Sequence, residues 1–168
     1  MKETPQQYIQ RILGNLQGHD PLKIQSATAK KLDRLLKGVP ALKLRKRPAP
    51  GKWSIAEIIA HLADAELVGG YRIRTILGAP GTPIQAFDQD AWAAALRYDK
   101  RDARKSLGDF RAYRSANIAL LKSLKPDQWK HHGMHSERGQ ETIETITAMF
   151  AGHDINHIKQ IEDILSRK

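Results

Sequence analysis

The chain has 168 residues, enough for one domain with its own core, and carries no cysteine, which excludes disulfides, thiolate metal sites and a cysteine nucleophile. At 40% hydrophobic and 27% charged it has the make-up of a globular protein in water, and no run of about 18 apolar residues is present to cross a membrane. The net charge of +10 is dense only at 43–47 (KLRKR) and 97–105 (RYDKRDARK), and the 6% of aromatic residues do not interleave with it. That pattern argues against a nucleic-acid stacking surface and for a solvated basic face of the kind that attracts anionic substrates.

The polar start MKETPQQYIQ has no apolar segment of the signal-peptide kind, and with the absence of cysteine it points to the cytoplasm. Residues 5 to 17 are predicted as a helix, with Pro5 in its first turn and Tyr8, Ile9, Ile12, Leu13 and Leu16 on one side. GHDP at 18–21 interrupts it, with His19 as a turn residue. A second piece follows to Lys37, capped by Gly38. Both pieces are expected to be one bundle helix bent at the break. Residues 38 to 52 are a linker holding Pro40, Pro48 and Pro50.

The helix predicted from Ser54 to Leu77 has a strong start signal. Ser54 and Glu57 form a capping box, and Trp53 and Ile58 stand at the hydrophobic-staple positions. Its apolar stripe is Ile55, Ile58, Ile59, Leu62, Gly69, Ile73 and Ile76, with His61 on its flank near Ala65 and Arg72. The Gly69-Gly70 pair weakens the helix locally. The stretch from Gly78 to Asp99 is read as connection, with a turn or two of helix over 91–98. Its Phe87, Asp88, Asp90, Trp92 and Tyr98 are candidates for a pocket wall, or for a hydrophobic plug.

A further helix spans Asp102 to Leu124, with a stripe of Ala103, Leu107, Phe110, Asn117, Leu121 and Leu124 and with Arg114 near its middle. Glu66 occupies the same anomalous position on the earlier helix. A charge on a core face is costly unless paired, so Glu66 and Arg114 are expected to pair across the bundle. After Pro126, residues 125 to 140 read as a turn-rich connection holding His131, His132 and His135, of which His135 is the candidate to face a site. Thr142 is the predicted N-cap of the last helix.

That last helix, over 141–168, carries Ile143, Ile146, Phe150, Ile161 and Ile164 on one stripe. His153 and His157 fall inside the stripe, one turn apart, so their imidazoles stack on one face. They are either hydrogen-bonded core residues or two ligands of one metal ion, with His61 able to supply a third from its flank. Three imidazoles would suit zinc, nickel, cobalt, iron or manganese and leave a coordination position open, as a catalytic site requires. Asp64, a turn from His61, and Asp154, beside His153, are the candidate general bases.

KWSIAEIIAHLADAE, followed far downstream by AGHDINH, resembles the DinB-like (YfiT-like) metal-binding superfamily, and the likeness extends over most of the chain. The resemblance implies an all-α, up-down-type four-helix bundle formed by residues 1–168 as one domain. It implies a metal held by His61, His153 and His157. It further implies metal-dependent hydrolysis of a small molecule, or transfer of a low-molecular-weight thiol, or metal binding without catalysis in a stress-related role, and commonly a homodimer.

Overall fold

The computed structural model describes residues 3–167. Helix α1 (Pro5–Gly14) is followed by α2 (Pro21–Leu36), the short α3 (Ala41–Arg45) and the long α4 (Ile55–Gly78). Strand β1 (Pro83–Ile84) and helix α5 (Gln89–Ala95) lead to α6 (Ala103–Ser123). Strands β2 (His132–His135) and β3 (Gly139–Thr142) then lead into α7 (Ile143–Ser166).

The helices begin where the side chains can satisfy free backbone N–H groups. Thr4 with Gln7, and Ser54 with Glu57, form reciprocal capping boxes. Asp20, Asp102 and Thr142 cap α2, α6 and α7. The buried Glu57 carboxylate also takes the Arg47 guanidinium, which ties the linker to the start of α4.

Helices α2, α4, α6 and α7 are the corners of a four-helix bundle, as expected. Paired residues give their directions. Gln25 meets Thr147, Thr28 meets Asp154 and Lys31 meets Glu162, so α2 and α7 run parallel. Glu66 meets Arg114 and Arg74 meets Asn117, so α4 and α6 run parallel. The two pairs oppose each other, since Asp33 meets Arg111 and Gln25 meets Arg114 between α2 and α6. Both α2 and α4 pack on α6 and α7. Helices α2 and α4 therefore sit at opposite corners, as do α6 and α7, whereas α4 and α6 are adjacent and parallel, so the chain between them must return along the whole bundle. This is why residues 79–102 are long.

Three sequence expectations change. The first bundle helix is not one bent rod: α1 ends at Gly14, and Gln17 (φ 47) and Gly18 (φ 79) in the left-handed region turn the chain before Pro21. Helix α1 then lies on the outside of α7, where Arg11 donates to Asn156 Oδ1 at 3.1 Å and Asn15 donates to the Gly152 carbonyl at 3.1 Å. The 125–140 connection is also ordered, with β2 and β3 forming an antiparallel hairpin, His132 opposite Thr142 and His135 opposite Gly139. Strand β1 adds to β2 in parallel, with Ile84 in register with His135. The Gly69-Gly70 pair does not interrupt α4. A Cβ at Gly69 would overlap the Phe150 ring and one at Gly70 the Asn117 amide, so these glycines admit close neighbours.

The core is divided. One cluster holds Leu32, Leu36, Leu44, Ile55, Ile58, Ile59, Leu62, Leu107, Phe110, Ile158 and Ile161. The other holds Ile73, Ile76, Ile84, Leu121, Ile143 and Ile146. Between them lies a buried polar layer of Gln25, Thr28, Glu66, Arg114, Asn117, Thr147 and Asp154.

At the crossing of α1 and α7, a Cβ on Gly152 would overlap the Ile12 carbonyl oxygen, which is backbone and cannot swing aside. Gly152→Ala should lower the unfolding free energy by about 1–3 kcal/mol through this overpacking. Thermal denaturation checks this, and α1 should become the first site of limited proteolysis.

Candidate metal centre

The three histidines meet between α4 and α7. His61 Nε2 lies 3.0 Å from His153 Nε2, which lies 3.1 Å from His157 Nε2. Among the described residues this is the group of His, Asp and Glu side chains whose donor atoms converge as a metal site requires, all within 4.8 Å of one another. The helix supplies the second and third donors by its pitch, since residues one turn apart share a face. The first comes from α4, held by packing: the His61 ring centroid is 5.1 Å from that of Trp53, tilted, and 6.5 Å from that of Phe87, stacked.

The donor set fits a divalent cation. His157 Nδ1 pairs with Gln160 Oε1 at 3.0 Å, and the amide oxygen requires that Nδ1 carry the proton, which leaves a lone pair on Nε2. His61 Nδ1 is buried with no hydrogen-bond partner. A single Nε2 on His153 cannot satisfy both of its neighbours by hydrogen bonding, because it offers either one proton or one lone pair. Nitrogens sharing a metal at 2.0–2.1 Å are separated by about 2.9–3.3 Å, and both short separations here match that spacing.

All three imidazoles are neutral at pH 7. Burial pushes His61 down to about 3, with the His157 charge adding to it. Burial likewise pushes His157 down to about 4 against the support of Gln160 and Asp154. His153 is held well below the usual histidine range by burial and by its two histidine neighbours. Neutral imidazole is the ligating form, so the site is ready to take a cation without losing protons.

Glu66 and Arg114 pair as their placement on the two stripes suggested, at 2.8 Å, with Arg114 only 3% exposed. A third partner was not foreseen. Asp154 takes the same guanidinium at 2.6 and 3.0 Å and accepts the Thr28 hydroxyl at 2.8 Å. Arg114 Nη1 also donates to the Gln25 carbonyl at 3.0 Å, and its carbon lies 4.7 Å from the Phe110 ring centroid. Burial alone would lower the guanidinium's pKa, but Asp154 and Glu66 outweigh it and raise it above the ordinary value. Asp154 is therefore corrected from candidate base to anchor. Asp64 is engaged too: its carboxylate takes Arg101 at 2.8 Å.

A cavity of about 320 Å³ opens in front of His61 and His153. Its walls include Tyr8 from α1, Arg72 from α4, Phe87 from the long connection, Arg138 from the hairpin turn, and Met149 and Phe150 from α7. Of the expected pocket residues, Phe87 is on the wall, but Trp92, Tyr98 and His135 are not. Trp92 backs Phe87 at 5.1 Å between ring centroids. Tyr98 is fully buried against Trp53 and beneath the Arg101 guanidinium. His135 is buried in β2, where Nδ1 accepts the Glu137 N–H at 3.2 Å. Asp88 caps α5.

Sequence reasoning missed Arg72, Gln160 and Tyr8. Two of them left signals: Gln160 is one turn beyond His157, and Arg72 is three turns beyond His61 on the same flank. Tyr8 left none, because α1 was read as part of another helix.

The family model described as the DinB superfamily matches residues 26–161, most of the chain and all three histidines. The chain belongs to the DinB superfamily. A relative from Oceanobacillus iheyensis named "Putative metal-dependent hydrolase" is 25% identical over 118 residues, covering 70% of this chain and 68% of the relative. The solved structure of YfiT from Bacillus subtilis, described as "a probable metal-dependent hydrolase with an unusual four-helix bundle topology", superposes with a TM-score of 0.80 at 23% identity. It covers 88% of this chain and 85% of that one. The mycothiol-dependent maleylpyruvate isomerase superposes with a TM-score of 0.64 at 11% identity, over 86% of this chain and 59% of that one. The last two likenesses are of fold. No helix of the described residues is long and apolar enough to cross a membrane.

Two predictions arise from the buried charges. Arg114→Met strands two carboxylates in the core and should cost about 3–5 kcal/mol in urea unfolding. For metal-free protein, the unfolded chain takes up protons at these histidines below their ordinary value of 6.5, while the folded chain takes none at His157 until about 4 and none at His61 until about 3. Stability is then full above pH 6.5 and falls as pH drops below it, by up to roughly 1.4 kcal/mol per pH unit for each imidazole. Urea midpoints at pH 8, 6.5 and 5 should fall in that order.

Proposed function

We infer that this protein is a metal-dependent enzyme of hydrolase type, acting on a small molecule in the cavity before the three histidines. One observation carries this reading: three neutral imidazole nitrogens converge, and two of their rings, His61 and His153, line a cavity large enough for a substrate. A cation bound there supplies Lewis-acid polarisation of a carbonyl oxygen and brings a coordinated water's pKa toward neutrality. Three protein ligands leave that chemistry an open position, as the candidate metals zinc, nickel, cobalt, iron and manganese allow.

The protein's own groups do the rest. Trp53 and Phe87 fix the His61 ring, Gln160 fixes the His157 tautomer, and Arg114 fixes the turn of α7 that carries both ligands. Phe87, Met149 and Phe150 keep the inner cavity apolar. Relatives named as metal-dependent hydrolases support the reaction class. A homodimer in the cytoplasm completes the proposal, resting on the family resemblance and the cysteine-free composition.

A second reading draws on the fate of the two candidate bases. Asp64 and Asp154 are both held by arginines, so neither is free to deprotonate a water. A thiol would need no such base at neutral pH if a cation held by the three histidines lowered its pKa. Transfer of a low-molecular-weight thiol to an electrophile therefore suits this site as well.

His157→Ala should remove bound metal, measured by plasma mass spectrometry against wild type, with metal offered back to both. Turnover of small esters without thiol then supports hydrolysis, and turnover only with added thiol supports transfer. Stoichiometric metal with neither activity would leave a metal-binding bundle. Equal, negligible metal in wild type and variant would remove the basis of all three.

A further inference from the structure

Arg72 is the one buried charged residue on the cavity wall that has no ion pair among the described residues. It is 6% exposed, sits on α4 and lines the same cavity as His61 and His153. Among the described residues it makes no ion pair, and its hydrogen bond is from Nη2 to the Gln85 carbonyl at 2.7 Å. Every other largely buried arginine of the structure has a carboxylate: Arg114 has Glu66 and Asp154, Arg101 has Asp64, and Arg138 has Glu141 at 2.6 and 3.0 Å. A guanidinium removed from water without a counterion is strongly destabilising, so a fold that keeps one in a cavity wall has left room for an anion.

The carboxylates on the wall do not fill that role. Glu3 is held by Arg11 at 2.7 and 2.9 Å, while Glu137, exposed on the hairpin turn, and Glu141, taken by Arg138, act on Arg72 only through space. Phe87 measures the gap between the charge and the histidines. Its ring lies 5.9 Å from the Arg72 guanidinium carbon and 6.5 Å from the His61 ring, so the two flank a single phenyl group. The surfaces between them, Phe87, Phe150, Met149 and Tyr8, are aromatic or apolar.

We propose that Arg72 is the substrate-carboxylate anchor of this site, so that the cavity takes a small organic acid whose apolar or aromatic body spans from Arg72 to the histidines. The acid's carboxylate meets the planar fork of the guanidinium, and its far end, which carries the reacting bond, lies at the three imidazole nitrogens. This rests on the proposed catalytic site for the reaction at the far end, but the anchoring itself needs no metal. Arg72 acts here as a specificity-determining residue and takes no part in the bond changes.

The test is a fluorine NMR titration of 4-fluorobenzoate and 4-fluorobenzamide, equal in shape and differing in charge, into metal-loaded full-length protein. Wild type should bind the acid at least tenfold tighter than the amide. Arg72→Gln keeps a donor for the Gln85 carbonyl and removes the charge. It should weaken the acid by about 10–100-fold and leave the amide unchanged, whereas a merely structural role would weaken both alike. Arg72→Lys should fall between, because an ammonium is a point charge without the fork. Glu137→Gln should not weaken the acid.

Chelator-treated wild type separates this from the metal reading. If the preference for the acid persists without metal, Arg72 is the anchor. If it vanishes on chelation the carboxylate sits on the metal, and if it survives Arg72→Gln another group holds the carboxylate; either result overturns the proposal. Failure of wild type to bind the acid at all overturns it too. Metal content, measured on the same samples, judges the three-histidine site on its own.

Discussion

A single guanidinium organises this bundle. Arg114 leaves α6 and reaches the other three corners: Glu66 on α4, Asp154 on α7 and the Gln25 carbonyl on α2. Two apolar clusters lie on either side of that layer, and neither fixes the helices along their axes, because apolar contacts are non-directional. The charge does so. Ion pairs out of water are tolerated only at good geometry, so a helix that slid or turned would strand a carboxylate. Asp154 lies between the two histidines of α7, and Glu66 lies a little more than a turn beyond His61 on α4. Holding both carboxylates on one guanidinium sets the height and rotation at which the imidazoles of the two helices face each other.

The ligands and the cavity are built by different means. The three histidines stand on the long helices, backed by packed rings and the polar layer, which gives them the precision that metal ligation needs. The walls come from pieces far apart in the chain: α1, the long connection before α6, the hairpin turn and α7. Connections of this kind vary without disturbing the bundle, so ligation and substrate choice are separable. The parallel run of α4 and α6 requires the long connection, and that connection delivers Phe87 against His61. Topology thus supplies a wall of the site as a by-product of returning the chain.

Much of this was legible in the residues. The capping boxes at Thr4 and Ser54, the apolar stripes and the H-x-x-x-H pair are local signals, each within a few turns of helix. The Glu66–Arg114 pair was legible for another reason, since each charge was anomalous on its own stripe. Asp154 escaped because it falls beside a histidine, where a catalytic role competes with a structural one, and only the position of Arg114 decides between them. The break at 18–21 was visible, but not its consequence. Gln17 and Gly18 turn the chain far enough to send α1 to another helix, and nothing in the spacing states that angle. The hairpin at 132–142 is short and holds histidine, methionine and glycine without clear alternation, so it carried no strand signal.

What the sequence determined by itself is the set of helices, their buried faces and the three histidines, because propensity, capping and 3.6-residue periodicity act between neighbours in the chain. Only the tertiary structure decided which corners the helices occupy, which carboxylates Arg114 takes, and which side chains close the cavity. Those depend on contacts between residues as much as 145 positions apart, such as Arg11 with Asn156. Their energies come from burial and from pairing charges out of water, and both exist only once the chain has closed around them.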